Sequence, residues 1–553
     1  MIRSRSYPAA EKVLLILMLL TFAVSCVITG ASLRVILDSD ASGDLVYAHH
    51  LQETGQFLSH DWYYATGLKV LSTQLVFAPL FALTDSWHTV HAVGAVILQA
   101  VLLAGFLYLC GAAGIRRAAA YLGGAVLLLP TSVAYGRIVL YHSYYIINTA
   151  CSFFLTGLFL KLLWSTDAGR QGRKILRLTV FLALSFLCGM NNMRQAGITH
   201  APLLLAVCAV LLPVLGAKKR LKARDFHPFA LLILSAIVFL AGYAVNIYLS
   251  RFYQFRDYTV SRVTWNTDRL PELVFGILHY FGLRRSVPMM SAYGIVSVMG
   301  VFAGAAAIVM GCMGVRDCVA AGREGSECGE GIPLRIIRTM FPAGLITILL
   351  EVILIDKVSH PTLYVLSFVV WAVPLIADAL FRESGGRILK LAAALTALVM
   401  VISGALNMMY FVDPQAHPQP HEGLANQDNA LVPKLEPLIA LLEEEGGYDM
   451  GYATFRYGNI VTEMTDGAMP MINITVAKDG SVSYYDWMTV GSYREKAPQK
   501  AFIILQSTSV KAFEKGEVYG RCEKLYEAPD GSFTAYRLLE PGYLYETLAA
   551  SPE

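Results

Sequence analysis

Long uninterrupted runs of apolar residues fill the first three quarters of this 553-residue chain. A helix that crosses a hydrocarbon core of about 30 Å needs roughly 20 such residues in succession. Only 15% of the residues are charged, against roughly 25% in soluble domains. A single water-soluble globule is therefore excluded. The pattern predicts an α-helical polytopic membrane protein with about eleven transmembrane helices.

The apolar runs and the charged breaks between them predict where the spans lie. They are expected near residues 13–33, 88–110, 118–135, 144–164, 175–190, 197–215, 228–249, 289–312, 338–355, 361–379 and 388–411. A cleaved signal peptide is the alternative for the first run, although a multi-spanning chain seldom needs one.

Basic residues predict the orientation. They cluster in alternate loops, beginning at Arg3 and including Arg116, Arg173, Arg220 and Arg382, and such loops are usually cytoplasmic. The N-terminus is then inside and the C-terminal tail outside, in a multi-pass protein of the cell membrane.

Charge also divides the chain into two parts. Residues 1–411 hold 33 Lys and Arg against 20 Asp and Glu, whereas 412–553 hold 11 against 21. Within the tail, a linker at 412–429 precedes an acidic helix near 430–446 and four short β-like runs separated by Gly turns. We therefore predict a transmembrane module over 1–411 and a small extracytoplasmic α/β domain over 430–553.

Two predicted outside loops are long, at 34–87 and 250–288, and loops of this kind often carry function. The first contains the carboxylates Asp38, Asp40 and Asp44. One interpretation is a general base for an acceptor hydroxyl, with a divalent cation on Asp38 and Asp40 if any metal is present. The other is a solvated loop in which Asp44 caps a helix.

Further along this loop, residues 72–84 are apolar but too short to span a membrane, and they contain Pro79. They predict a helix that lies in the membrane interface or re-enters the membrane.

Arginines recur at the predicted outside ends of other spans, namely Arg137, Arg194, Arg284 and Arg285. Positive charge on this side runs against the usual bias, and an anionic phosphate would explain it because a guanidinium binds phosphate bidentately. The alternatives are snorkelling and ion pairs with loop acids. Glu351, near the end of the ninth run, is a further ionisable candidate.

Motifs for soluble nucleotides and for common hydrolases are absent from the sequence. There is no G-x-x-x-x-G-K-[ST], no H-E-x-x-H and no G-x-S-x-G. A reaction on the outer face must therefore use a substrate that is already activated and carried by the membrane. The nine scattered cysteines suggest neither a disulfide framework nor a zinc site.

The order of features in the first 110 residues resembles the GT-C membrane glycosyltransferases, in particular the protein O-mannosyltransferase and aminoarabinose transferase branch. After one span come an acidic stretch, a Tyr47-Ala48 helix followed by Gly55, an aromatic piece at 61–64, the Pro-containing segment 74–83 and a second span.

The resemblance implies sugar transfer from a polyprenyl-phosphate carrier to a hydroxyl acceptor, with inversion at the anomeric carbon. By position it implies that Asp44 or Asp40 is the base, with Asp38 third. The chain departs from the family pattern because an adjacent Asp-Glu pair is missing and because 62–84 hold no acid.

The leading hypothesis is therefore an inverting membrane glycosyltransferase whose donor phosphate is bound by some of the four arginines. Its acceptor is a glycan, lipid or protein, its other partner is the bilayer, and no nucleic-acid partner is expected. A lipid-glycan transporter or flippase is the alternative; it would spread ionisable groups through the bilayer and often shows internal repeats. A non-catalytic assembly protein would leave the outer-end arginines unexplained.

Overall fold

A computed structural model of the chain describes residues 8–141, 144–164, 171–191, 193–218, 220–256, 262–323, 331–356, 361–383, 386–414, 416–417 and 430–550. It confirms the predicted fold class, a polytopic helical protein with a small C-terminal sheet domain. Most of the predicted linker at 412–429 lies outside the described residues.

The first part of the chain is helical apart from two short strands. Its helices are α1 (Pro8–Ser32), α2 (Ser39–Thr54), α3 (Gln74–Phe81), α4 (Trp87–Ala113), α5 (Arg117–Leu128), α6 (Val133–Leu140), α7 (Tyr144–Trp164), α8 (Gln171–Gly189), α9 (Ala201–Gly216), α10 (His227–Ser250), α11 (Leu270–Tyr280), α12 (Ala292–Arg323), α13 (Ile332–Leu354), α14 (Pro361–Tyr364), α15 (Leu366–Val369), α16 (Ala372–Phe381) and α17 (Arg387–Val412). The strands are β1 (Trp62–Tyr64) and β2 (Gln254–Phe255).

Among the described residues, nine helical segments are long and apolar enough to cross a membrane, and a bent pair brings the number to ten. The third predicted span is this pair, because α5 and α6 meet at 99°. Pro130 lies at the break, where it cannot continue a helix. The fifth predicted span is α8, a 19-residue helix whose first two turns carry three basic residues and which is not among the ten.

Glycines allow α8 and α10 to pack closely. A Cβ added to Gly189 would lie 2.0 Å from the carbonyl oxygen of Phe239, and one added to Gly242 would lie 2.1 Å from that of Phe186. The two backbones therefore touch at both positions, which is how small residues bring membrane helices together. This contact fixes the end of α8 from which Arg194 follows.

The loop between α1 and α4 folds into α2, β1 and α3. The predicted short helix within 72–84 is present as α3. The alternative in which Asp44 caps the first of these helices is wrong. Helix α2 begins at Ser39, and the carboxylate of Asp38 accepts hydrogen bonds from the amides of Asp40 and Ala41, which is the geometry of an N-cap.

The tail forms the predicted α/β domain. It contains α18 (Val432–Glu445), β3 (Met450–Thr454), α19 (Phe455–Met464), β4 (Met471–Val476), β5 (Val482–Tyr484), β6 (Thr489–Val490), β7 (Ala501–Gln506), α20 (Ser507–Phe513), β8 (Cys522–Glu527), β9 (Phe533–Leu538) and α21 (Pro541–Ala550). Six strands form one sheet in the order β5-β4-β3-β7-β9-β8, in which β3 pairs in parallel with both β4 and β7.

A second, three-stranded sheet joins three distant parts of the chain. Strand β1 from the first long loop lies in the middle, with β2 from the second long loop parallel on one side and β6 from the tail antiparallel on the other. Trp62 faces Val490, and Tyr63 faces both Thr489 and Gln254. Both loops and the tail domain therefore meet at one end of the helix bundle.

Candidate active site

Helix α2 places two of the three predicted carboxylates on one face. Asp40 and Asp44 are one turn apart, so their side chains project to the same side of the helix. Asp38 lies outside the helix as its cap. Asp38 and Asp40 therefore do not form one paired site, because Asp38 caps the helix and Asp40 lies within it.

Asp38 pairs with Arg137, which is one of the predicted phosphate-binding residues. The Arg137 guanidinium is almost completely buried in α6 and donates to Oδ2 of Asp38, while Oδ1 receives the α2 amides. A buried guanidinium requires such a partner. The pair joins the start of α2 to the second half of the bent pair, a structural role for both residues.

Asp44 lines a pocket at this end of the bundle. The residue is 9% exposed; Thr73 donates a hydrogen bond to Oδ2 at 3.0 Å, and Lys69 Nζ lies 3.8 Å from Oδ1. The pocket is a space of about 310 Å³, open solvent included, and is lined by Asp44, Tyr47, Trp62, Tyr64, Ala65, Gly67, Lys69, Gln74 and Met488. Asp44 is the only carboxylate in this lining set.

Aromatic rings form one side of the pocket. The hydroxyl groups of Tyr47 and Tyr64 are 2.8 Å apart, and that of Tyr64 donates to the carbonyl oxygen of Ser59 at 3.0 Å. Burial is the main cause that raises the pKa of both tyrosines. Both rings therefore stay neutral, and they are held in place by this hydrogen bonding.

Lys69 is a site residue that the sequence analysis missed. Its Nζ lies 3.9 Å from the centre of the Tyr144 ring as well as beside Asp44. Burial disfavours its charge, but Asp44, Tyr144 and Asp40 outweigh that effect and raise the pKa of Lys69. The argument applied to the arginines, positive charge in a predicted outside loop, would have found it.

Arg194 lies beside the same tyrosine ring as Lys69. Its Cζ is 5.6 Å from the ring centre of Tyr144, 5.3 Å from that of Tyr145 and 4.7 Å from that of Tyr364, and it donates to the Tyr364 hydroxyl at 3.2 Å. Its Nη1 is buried, with no hydrogen-bond partner among the described residues. Lys69 and Arg194 thus lie beside a shared ring, and Nη1 of Arg194 has no partner in the part of the chain that the structure describes.

The other two predicted arginines lie elsewhere. The buried side chain of Arg284 donates to Oδ1 of Asn407 at 2.7 Å and stacks on Tyr293. Arg285 is exposed, with its Cζ 3.7 Å from the ring centre of Phe275. Neither lines the Asp44 pocket.

Two other acids, Asp61 and Glu351, have identifiable surroundings. Asp61 accepts from Ser492 through Oδ2, and its carbonyl oxygen accepts from the amide of Gly491 at 2.8 Å, so it binds the tail domain. Glu351 packs against Gly197, where an added Cβ would lie 1.6 Å from its Oε1. Gly197 is three residues beyond Arg194, which brings Glu351 to the same region of the bundle.

Within the described ranges, no group of three or more His, Cys, Asp or Glu side chains could hold a metal ion. The cation suggested for Asp38 and Asp40 would have to compete with the guanidinium that already occupies Oδ2 of Asp38. The contacts of Asp38 are therefore those of an N-cap and an ion pair.

No family model matches the sequence, and no curated protein matches it. Among solved structures the chain is similar to ArnT from Cupriavidus metallidurans in the apo state, with 11% identity, a TM-score of 0.49, and 97% of this chain and 99% of that chain covered. For the same protein bound to undecaprenyl phosphate, the values are 12%, 0.48, 97% and 99%.

The chain is also similar to the Archaeoglobus fulgidus oligosaccharyltransferase in complex with Zn and sulfate, with 12% identity, a TM-score of 0.41, and 93% of this chain and 72% of that chain covered. These proteins are members of the GT-C superfamily, the group that the first 110 residues resemble. At these identities and TM-scores the similarities do not assign an activity to the chain.

Proposed function

We propose that the protein is an inverting membrane glycosyltransferase that moves a sugar from a polyprenyl-phosphate donor to a hydroxyl acceptor, with Asp44 as the general base. The observation that carries this proposal is the arrangement around Lys69. Its Nζ is 3.8 Å from Oδ1 of Asp44 and 3.9 Å from the centre of the Tyr144 ring. One lysine thus connects the pocket carboxylate to the aromatic group that holds Arg194.

Two cations beside one aromatic ring suit a phosphate that is attached to a lipid. Arg194 has a buried donor available, since its Nη1 lacks a partner among the described residues. A guanidinium and an ammonium can each donate to phosphate oxygens. Lys69 and Arg194 would therefore bind the donor phosphate, and the sugar would extend into the pocket beside Asp44.

In the proposed reaction Asp44 removes the proton from the acceptor hydroxyl as its oxygen forms a bond to the anomeric carbon. The bond from that carbon to the phosphate oxygen breaks on the opposite side, which inverts the anomeric configuration. The bonding electron pair leaves with the phosphate, whose charge Lys69 and Arg194 stabilise. Thr73 orients the carboxylate through its hydrogen bond to Oδ2.

The side of the membrane follows from charge. The basic loops that alternate along the chain favour a cytoplasmic N-terminus, and the pocket is at the other end of α1, where the tail domain packs. The site would then face away from the cytoplasm. Soluble nucleotide sugars are absent there, which agrees with a donor carried by the lipid.

A turnover assay tests the proposal. The purified protein, reconstituted in lipid, would be given radiolabelled undecaprenyl-phosphate sugars with a panel of lipid and glycan acceptors. We expect release of undecaprenyl phosphate and labelling of one acceptor, with inverted configuration in the product. Movement of undecaprenyl-phosphate sugar across vesicles without any transfer would contradict the proposal and favour a flippase.

A further inference from the structure

One residue of the tail domain reaches into the pocket of the transmembrane part. Met488 is 5% exposed and lies in the pocket lining together with Asp44. A Cβ added to Gly43, the neighbour of Asp44, would come within 2.8 Å of Cε of Met488. The methionine therefore packs directly on the helix that carries the proposed base.

The backbone of Met488 is held in an unfavourable conformation. Its φ is +50°, in the left-handed region where residues with a Cβ are strained. Its amide donates to the carbonyl oxygen of Tyr63 at 2.9 Å, and its carbonyl oxygen accepts from Asn459 Nδ2 at 3.2 Å. The two partners lie in β1 and α19. Their hydrogen bonds hold the backbone of Met488 in this conformation and so direct its side chain.

Strain that is maintained by the surrounding structure is concentrated at functional sites. Here the two anchors belong to different parts of the protein, because Tyr63 lies in β1 of the first loop and Asn459 in α19 of the tail domain. The Met488 side chain is thus placed by the docking of the tail domain. Without that domain the pocket beside Asp44 would lack this wall.

We propose that Met488 forms the wall of the donor-sugar pocket and selects the sugar by its size, which makes the tail domain part of the specificity of the enzyme. The inference rests on the proposed function. Lys69 lines the same pocket as Met488, whereas Arg194 does not. In the proposed function these two cations bind the phosphate of the carrier lipid. The sugar pocket sets which glycosyl group is accepted.

Met488→Ala and a pair of donors of different size test the inference. In full-length protein, kcat/KM would be measured for undecaprenyl-phosphate hexose and undecaprenyl-phosphate N-acetylhexosamine. One methylene in an apolar pocket changes discrimination by about 10–200-fold. We expect the ratio of kcat/KM to shift at least tenfold towards the bulkier sugar, with binding of undecaprenyl phosphate unchanged.

Met488→Gly is a second variant, needed because alanine is itself strained at the positive φ of this residue. Glycine adopts φ of +50° without strain, so this variant should unfold at a temperature no lower than Met488→Ala while showing the same shift in preference. Met450→Ala is the matched control, because Met450 is buried in the same domain but is not part of the pocket lining. Its ratio of kcat/KM for the two donors should equal that of the wild type.

The outcomes separate this inference from the proposed function. No turnover of any donor by the wild type would contradict the proposed function and the inference with it. Wild-type turnover, with a donor ratio in folded Met488→Ala and Met488→Gly within twofold of the wild type, would overturn the inference alone. A shift of the same size in Met450→Ala would also overturn it, because the effect would then arise from the domain as a whole.

Discussion

His91 in α4 and Glu463 in α19 form a buried hydrogen bond of 2.7 Å between Nδ1 and Oε1, 372 residues apart in the chain. The other ring nitrogen, Nε2, lies 3.2 Å from the carbonyl oxygen of Tyr141. With Glu463 ionised, both neighbours are acceptors, so the ring donates at both nitrogens and is positively charged. The transmembrane part and the tail domain therefore share a buried ion pair.

Glu463→Gln should lower the thermal stability of the protein. Removing one partner of a buried pair leaves the other charge uncompensated, which destabilises by about 3–5 kcal/mol. His91→Gln should have a similar effect. The double variant should lose less stability than the two single variants lose together. The measurement is a thermal unfolding series in detergent. Glu540→Gln is the control, because Glu540 forms an exposed pair with Arg521; an equal loss there would refute the prediction.

Asp44→Asn should abolish sugar transfer while the protein stays folded. The amide retains the shape of the side chain but cannot accept the acceptor proton, and loss of a positioned base typically reduces the rate by about 10²–10⁴-fold. Turnover under saturating donor, together with the unfolding temperature, measures both effects. Turnover within a few-fold of the wild type would exclude Asp44 and leave Asp40 on the same helix face as the next candidate.

Asp38→Asn should have the opposite effect, with lower thermal stability and little change in kcat. Asparagine still caps a helix, but it removes the charge opposite the buried Arg137 guanidinium. We expect a clear loss of thermal stability, again of the order of 3–5 kcal/mol, with kcat of the remaining folded protein near the wild-type value. A stable variant that has lost kcat would instead place Asp38 in the chemistry.

Lys69→Met and Arg194→Lys should each weaken binding of undecaprenyl phosphate. The first removes a charge, and the second removes the planar pair of donors that a guanidinium offers. Hydrogen bonds to charged groups contribute about 1.5–3 kcal/mol, which predicts an increase in Kd of at least tenfold. Arg285→Lys is the matched control, since Arg285 lies outside the pocket on Phe275. Unchanged affinity in both site variants would remove the phosphate site from Lys69 and Arg194.

Acidic pH should destabilise the first loop through His50. Burial lowers the pKa of His50, with a partial opposing effect from Asp61, and its Nε2 is 2.8 Å from Oγ of Ser59. The unfolded chain, with a pKa of about 6.5, binds the proton more readily, so stability falls as the pH drops below that value. Unfolding temperatures at pH 7.5 and 5.5 should differ less in His50→Gln than in the wild type. Identical differences would contradict this prediction.

The membrane character and the elements of the tail were predictable because they depend on local patterns. The length of an apolar run decides whether a helix can cross a membrane. The β-like runs between Gly turns, at 449–455, 469–476, 501–506 and 533–538, lie close to the observed bounds of β3, β4, β7 and β9. The sequence predicts one continuous span at 118–135, whereas the structure has a 99° break there between α5 and α6. An apolar run gives no direct sign of a change in helix direction.

The roles of the site residues were not predictable in this way. Asp38, Asp40 and Asp44 look alike in sequence, and only the start of α2 at Ser39 separates the cap from the two acids on one face. The partner of Asp38 is 99 residues away at Arg137. Lys69 acquires its position from Asp44 and Tyr144 together.

The sequence by itself determined that this chain is a helical membrane protein, where its apolar segments lie, and that its acidic tail combines helices and strands. Tertiary structure alone decided that Asp44 faces the pocket, that Lys69 and Arg194 share the Tyr144 ring, and that Met488 closes the pocket from the tail. The physical reason is the distance along the chain over which each effect acts. Hydropathy and turn preference act over a few residues, whereas a site is assembled by packing between helices and domains far apart in the chain.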